Sequence, residues 1–379
     1  MLNFESILLN KRIFVTGHTG FSGSWLCLWL KSLGISIAGF SLPPETNPSL
    51  YSLLKLENSI DSEYGDITNY EALSASISNF QPDVILHLAA QPLVRRSYAE
   101  PLQTFASNVM GTANLLEAAR QTPSVKAVVC VTTDKVYKNN EWPWAYREND
   151  PLGGKDPYSG SKAAAEMVIQ SYIESFTKRT ADKGIAIARG GNIIGGGDWS
   201  EDRLIPDFVR AITNKTKLSL RYPAAVRPWQ HVLALVQAYL SLASALLTDP
   251  QKYTCAWNFG PDQPLNYSVM QVLELFSSYW QQPEIEIIDH NLPEAGMLSL
   301  DSSLARNQLN WSPAWDFNQM IENTAIWYKS YYENPDQTKE ITLNQINHWR
   351  SILSKRQKSE NPTDRGERIH RPQPDSLSA

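Results

Sequence analysis

The sequence predicts an α/β protein built on a doubly wound parallel sheet, with a smaller C-terminal α/β lobe. Three observations carry that expectation. Near the start, an apolar run (Lys11 to Thr16) leads into a glycine turn and then a helical pattern (Ser24 to Leu33, ended by Gly34). Apolar runs and helical patterns then alternate up to residue 189, the order of βαβ units in a parallel sheet. The chain has 379 residues, 42% hydrophobic and 19% charged, enough for a large core and two lobes.

The glycines of the first turn, Gly17, Gly20 and Gly23, fall at the spacing GxxGxxG. In a strand–turn–helix context the first allows a tight turn, the second lets backbone amides approach a pyrophosphate, and the third lets the helix pack on the strand. The dinucleotide would therefore lie along Gly17-His18-Thr19-Gly20-Phe21 and Gly23. The second strand, Ile35 to Phe40, runs into Ser41-Leu42-Pro43-Pro44, and an acid arrives only at Glu45. No arginine stands there to host a 2′-phosphate, so NAD is favoured over NADP. A third strand ends around Glu63 to Ile67. Asp66 there could accept from an adenine amino group, or could cap a helix from Asn69 to Phe80. The fourth strand, Asp83 to Ala90, closes in Leu88, Ala89 and Ala90, with room for a cofactor over its tip. Helix 101–121 carries Asn108 at its middle, and a fifth strand runs from Val125 to Thr132.

Thr133-Asp134-Lys135 sits at the carboxyl end of that fifth strand, where ligands bind in such sheets. Helix 157–178 follows and carries Tyr158 and Lys162 four residues apart, on one face. A tyrosine of ordinary pKa, about 10, is a poor base unless a cation favours the phenolate, and Lys162 offers one. Ile185 to Arg189 is the sixth strand. After Gly190 the alternation breaks at the turn Gly195-Gly196-Gly197-Asp198-Trp199. Helices at 229–247, 267–280, 316–332 and 338–355 and strands at 255–259 and 284–289 follow. The expected division is 1–190 as the dinucleotide-binding, catalytic domain and 191–356 as mainly a substrate lobe, some of it returning to the first domain. Residues 357–379 read as a disordered tail.

The formal charge of −5 gives no basic field for nucleic acid. Cysteines 27, 130 and 255 stand apart among apolar neighbours and read as buried, reduced thiols. No Cys/His cluster has metal-ligand spacing, so no metal is expected. Neither a signal peptide nor a membrane span is visible, which makes a cytoplasmic enzyme the expectation. His87, in an apolar strand, reads as a satisfied core histidine.

Thr16-Gly17-His18-Thr19-Gly20-Phe21-Ser22-Gly23, His87-Leu88-Ala89-Ala90-Gln91 and the Tyr158/Lys162 pair resemble the extended short-chain dehydrogenase/reductases, whose catalytic domain is a Rossmann-type sheet. Within them the chain is similar to the CDP-glucose 4,6-dehydratases. That likeness lies in the Thr16-Gly17-His18-Thr19-Gly20-Phe21 loop, in the Gln91-Pro92-Leu93-Val94-Arg95 turn and in Thr133-Asp134-Lys135, where the dTDP-glucose enzymes carry Thr-Asp-Glu. It continues through 190–199 and Val226-Arg227-Pro228-Trp229-Gln230-His231-Val232. The resemblance covers roughly residues 10 to 355.

The resemblance implies bound NAD, held by the glycine turn with Asp66, Ile67, Leu88, Ala89, Ala90, Asn108, Thr132, Tyr158 and Lys162. It implies Tyr158 as the base that starts C4 oxidation, Lys162 as the residue that holds the cofactor ribose and depresses the Tyr158 pKa, and Thr133 as a hydrogen-bond partner of the same sugar oxygen. Asp134 becomes the candidate acid and Lys135 the candidate base for eliminating water across C5 and C6. The implied substrate is CDP-glucose, contacted by Gln91, Asn192, Arg203, Arg221, Arg227 and His231, with Arg227 the best match to a phosphate-binding arginine. Further implications are a homodimer or homotetramer through the helices near 101–121 and 157–178, and a place in deoxysugar or O-antigen biosynthesis. Pro293-Glu294-Ala295 departs from the usual His-Glu-Ala. The alternatives are a dehydratase of another nucleotide-glucose, a 4-epimerase, which needs only the Tyr/Lys pair, and a non-catalytic NAD sensor.

Overall fold

Seven parallel strands form the centre of the computed structural model, which describes residues 2–180, 182–261, 267–288 and 298–360. In chain order the strands of the protein are β1 (Arg12–Thr16), β2 (Ser36–Ser41), β3 (Asp61–Tyr64), β4 (Val84–His87), β5 (Ala127–Val131), β6 (Gly184–Gly190), β7 (Ile193–Ile194), β8 (Leu218–Leu220), β9 (Gln230–His231), β10 (Ala256–Phe259) and β11 (Ile285–Ile287). The central sheet has the order β10-β6-β5-β4-β1-β2-β3. The direction of winding reverses between β1 and β4, the switch point at which such sheets bind ligands.

Register aligns the strand ends that matter. Thr16 pairs with His87, and His87 with Cys130. The residues beyond these positions, Gly17, Leu88 to Ala90 and Thr132 to Lys135, therefore share one rim.

Alternation along each strand sends side chains to two cores, one on each face of the sheet. Ile13, Val15, Leu86 and Val129 join Trp25, Trp29 and the helix Val232–Thr248 on one face. Phe14, Ile85, Val128 and Cys130 join Leu73, Ile77, Leu115, Ile169 and Ile173 on the other. These come from helices Tyr70–Phe80, Gly111–Gln121 and Pro157–Tyr172 and the turn beyond. The 101–121 and 157–180 helices each contain a π turn, Ala106–Met110 and Ile173–Thr177, which sequence periodicity did not reveal.

The chain beyond 190 pairs β7 with β9 and β8 with β11, while β10 returns to extend the main sheet beside β6. A short helix, Asn3–Leu8, absent from the sequence expectation, buries Glu5. The Glu5 carboxylate accepts from Trp29 Nε1 at 2.9 Å and from Arg350 Nε at 2.7 Å, joining the first helix to the last. That last helix runs Thr338–Glu360, past the residue at which a disordered tail was expected to begin. Residues 361–379 and Pro293-Glu294-Ala295 lie outside the described residues. Cys27 and Cys130 are buried free thiols as expected, whereas Cys255 is only partly buried. No described helix is long and apolar enough to cross a membrane, and no group of three or more potential metal ligands occurs among the described residues.

Candidate active site

Gly17 leaves β1 with φ +75°, its amide donating to Phe40 O at 3.1 Å. A Cβ at Gly17 would lie 2.7 Å from Ala89 N, and one at Gly23 would lie 2.2 Å from Gly17 O. The helix Phe21–Ser32 starts from Gly20 with no side-chain cap. Its first amides are thus left for an anion, in a cradle that any side chain would fill, which fits a dinucleotide pyrophosphate. Thr19 Oγ1 meets Ser41 Oγ at 2.9 Å and donates to Leu42 O at 2.8 Å, pinning the turn to the end of β2.

Of three expected cofactor contacts, the His18 and Ile67 side chains turn inward, and Asp66, half-buried, engages its own turn. The His18 ring is wholly buried, 2.7 Å from Ser62 Oγ through Nε2, and packed where a Cβ on Gly39 would be 2.4 Å from its Cγ. Burial lowers its pKa to about 4. Only its backbone can face a cofactor. Asp66 Oδ1 accepts from Thr68 N at 2.9 Å, and Asn69, not Asp66, caps the helix that follows. The Ile67 side chain is core, filling the space beside Gly111.

Leu88, Ala89 and Ala90 are partly exposed at the tip of β4. Beyond them, Gln91 N donates to Asn108 Oδ1 at 2.8 Å, and Asn108 Nδ2 donates to Gln91 O at 3.1 Å and Ser161 Oγ at 2.8 Å. The Gln91 amide is engaged by Thr104 and Leu93 N. Asn108 lies in the π turn, which aims it across to the helix carrying Tyr158 and Lys162. Both expected ligand contacts are thus spent on fixing the walls of the site.

The fifth strand delivers Thr132 to Lys135. Thr133 starts a single 3₁₀ turn, its hydroxyl accepting from Lys135 N at 3.3 Å and lying 3.0 Å from Asp134 Oδ1. Asp134 is 0% exposed, and its Oδ2 has no hydrogen-bond partner among the described residues. Lys135 Nζ stands 3.5 Å from both Asp134 Oδ1 and Asn192 Oδ1. Asp156 caps the facing helix, and Tyr158 is its second residue, buried.

Burial pushes the Tyr158 hydroxyl above its ordinary pKa; the Lys135 ammonium, the hydrogen bond of Thr133 and the charge of Arg203 pull it back. Among the charged groups that act on Tyr158, the Lys135 ammonium pulls hardest. Lys162 Nζ instead donates to Val131 O at 3.0 Å. Burial lowers its pKa to about 8, against the opposing effect of Glu166.

The expected substrate contacts divide. Asn192 and Arg203 lie within reach of the centre, through Lys135 and the charge felt by Tyr158 respectively. Arg221 Nη2 bonds Asp202 at 3.1 Å, and Asp202 also takes Arg95 Nη1 at 2.8 Å. Arg227 is buried, donating from Nη1 to Val226 O at 2.9 Å. His231 is a structural residue: Nδ1 accepts from Leu233 N at 3.2 Å as a helix cap, and Trp25 and Trp315 enclose the ring. His87 is a satisfied core histidine as expected, bonded to Thr16 and Thr112.

Sequence reasoning missed a buried network beneath the site. Glu166 accepts from Thr132 Oγ1 at 2.6 Å and from Arg189 Nε at 3.0 Å; Arg189 Nη1 donates to Tyr137 Oη at 2.7 Å, which donates to Asn258 Oδ1 at 2.7 Å. Glu166 follows Lys162 by four residues, so its face was legible, but its partner on β6 was not.

Residues 14–324 match the family profile described as GDP-mannose 4,6 dehydratase. The chain belongs to that family. Among curated relatives of the dehydratase family, it is 43% identical over 332 residues to a CDP-glucose 4,6-dehydratase of Salmonella typhimurium, covering 86% of this chain and 92% of the relative. It is 25% identical over 341 residues to a dTDP-D-glucose 4,6-dehydratase of Mus musculus, covering 86% of this chain and 90% of the relative. Among solved structures, a dTDP-glucose 4,6-dehydratase of Streptomyces venezuelae with NAD bound superposes with a TM-score of 0.71 at 23% identity, covering 87% of this chain and 99% of that one. A UDP-glucose 4-epimerase of Thermotoga maritima gives a TM-score of 0.73 at 20% identity, covering 85% and 99%. These two structures show that the fold is shared by a dehydratase and an epimerase.

Proposed function

We propose that the protein is an NAD-dependent CDP-glucose 4,6-dehydratase, a hydro-lyase that converts CDP-glucose to its 4-dehydro-6-deoxy product and water. The observation that carries this reading is the convergence of Tyr158, Thr133, Asp134, Lys135 and Asn192 at one strand end. An epimerase needs the tyrosine and its lysine; it has no use for an additional acid and base. The 43% identity to a CDP-glucose 4,6-dehydratase supports the same choice.

Bound NAD supplies the acceptor and later the donor of one hydride, so it ends each cycle as it began. The glycine cradle and the uncapped helix start would hold its pyrophosphate. Tyr158, as the phenolate that the neighbouring Lys162 ammonium favours, takes the proton of the sugar 4-hydroxyl, with Thr133 bonded to the same oxygen, while Lys162 holds the cofactor ribose. The 4-ketone so formed acidifies the C5 proton, because the resulting carbanion delocalises onto the carbonyl. Once the proton between them has passed from Lys135 to Asp134, the Lys135 amine takes the C5 proton, and Asp134, now a carboxylic acid, protonates the departing 6-hydroxyl. Arg203, Arg221 and Arg227 would grip the diphosphate. Asn192 supports the Lys135 side of the pocket.

An apolar stripe supports a homo-oligomer. Leu102 is 85% exposed, Met110 56% and Met167 66%, with Phe105 and Phe176 beside them on the 101–121 and 157–180 helices. Two copies packing these helices together would cover it. Buried free thiols suit a reducing cytoplasm.

The deciding experiment offers the purified protein CDP-, dTDP-, UDP- and GDP-glucose and weighs the products. Loss of one water from CDP-glucose alone is expected. Dehydration of a different nucleotide-glucose would overturn the base assignment, and a product of unchanged mass would overturn the reaction.

A further inference from the structure

Glu166 and Arg189 are both almost fully buried, directly behind the catalytic face, and neither has a part in the chemistry above. The carboxylate takes both Nε and Nη2 of Arg189 and, on its other side, the hydroxyl of Thr132, the residue next to Thr133. Arg189 is held in turn by Tyr137, whose ring its guanidinium overlies at 4.8 Å, and by Glu148 O. One helical turn before Glu166 stands Lys162, whose ammonium donates, among the described residues, to a neutral carbonyl, Val131 O. A buried ammonium requires a counter-charge or it sheds its proton.

We propose that Glu166, locked by Arg189, is a positioning residue for the oxidative step: its carboxylate is the counter-charge that keeps Lys162 an ammonium, and its bond to Thr132 fixes the strand end that presents Thr133 to Tyr158. The other groups around Lys162 do not supply that charge. Cys130 from β5 is a thiol that burial pushes up to about 12. His87 from β4 is held neutral, lowered to about 3. Tyr158 on the same helix, pushed up by burial, is the group Lys162 serves and not a fixed counter-charge. The short turn after β5 brings Asp134 and Lys135, which pair with each other. The helix Val94–Ala99 brings Arg95 and Arg96, paired with Asp202 and Glu45. Glu166 raises the Lys162 pKa against burial.

This rests on the role given above to the Tyr158–Lys162 pair. The test follows single-turnover C4 oxidation, read as reduced-cofactor absorbance, against pH in the holoenzyme. Glu166→Gln leaves Arg189 unbalanced and should move the alkaline limb to lower pH by about one unit or more. Arg189→Gln leaves the carboxylate unshared and should move it to higher pH. Because each single change strands a buried charge and could impair folding, the pair Glu166→Gln/Arg189→Gln serves as the neutral variant; its limb should fall, by less than in Glu166→Gln. Glu166→Asp should restore the wild-type limb in part. An unmoved limb in the folded double variant overturns the proposal. Lys162→Met separates the two readings: if it oxidises normally across the pH range, the assigned role of Lys162 fails, whereas loss of oxidation there with an unmoved limb in the double variant removes only the role of Glu166.

Discussion

Lys135 Nζ lies 3.5 Å from the Oδ1 of Asp134, the residue beside it in the chain. An ammonium and a carboxylate adjacent in sequence rarely meet; here the 3₁₀ turn from Thr133 folds them onto one another. Lys135→Ala removes the proposed C5 base and spares the groups that act at the 4-hydroxyl. Turnover should fall by about a hundred- to ten-thousand-fold, while mixing with CDP-glucose should leave a standing absorbance of reduced cofactor. Undiminished turnover without that absorbance would show that another group takes the C5 proton.

Tyr158→Phe deletes a hydroxyl bonded to Thr133 in a buried position and changes little else. Oxidation should be lost at its first step, with no reduced cofactor formed and bound NAD retained. Stopped-flow absorbance and cofactor content of the purified variant check both halves.

Gly23→Ala puts a methyl 2.2 Å from Gly17 O and 2.8 Å from His18 Cα, contacts that only a backbone shift can relieve. Because the cradle is made of backbone amides, that shift should weaken NAD binding by about tenfold or more, with a small loss of melting temperature. Titration of the cofactor-stripped protein measures it.

Acid should unfold the protein through its histidines. Folded pKa values stand near 4 for His18 and near 3 for His87 and His231, against an ordinary 6.5, all lowered first by burial. Their neutral forms are favoured by folding, so this stability is fully present above about pH 6.5. It is lost as pH falls towards 3–4, at up to about 1.4 kcal/mol per pH unit for each ring. Lys162 is protonated in both states across that window and adds nothing. His231→Asn keeps a helix cap but removes one titrating ring; urea melts from pH 7 to 4 should show a shallower decline than in the parent.

Leu102→Asp places a charge on the most exposed apolar side chain of the stripe. Sedimentation should show dissociation towards a monomer of 42.7 kDa. An unchanged sedimentation coefficient would place the oligomer contact elsewhere.

The rim of the site was legible because its parts are local: Gly17 to Gly23 in one turn, Thr133 to Lys135 at one strand end, and Tyr158 with Lys162 on one helix face. What escaped depends on pairings between distant segments. Arg189 on β6 reads as the end of an apolar strand until Glu166 is found against it. His231 was placed among the substrate contacts by the Val226-to-Val232 motif, although it also read as helix-start structure; its cap is local, whereas its aromatic enclosure exists only once Trp25 and Trp315 are brought to it. Asn108 was expected to touch the cofactor, and the π turn that redirects it leaves no mark on hydrophobic spacing.

The bond between Glu5 and Arg350 has a consequence for how the protein is made. A ribosome would release the first strands and helices long before residue 350 emerges, and throughout that interval Glu5 would have Trp29 for company but no cation. Neutralisation of Glu5 is then a late event, sealed when the final helix arrives. A nascent chain arrested before residue 350 should expose that acidic seam to proteases, which the finished protein hides.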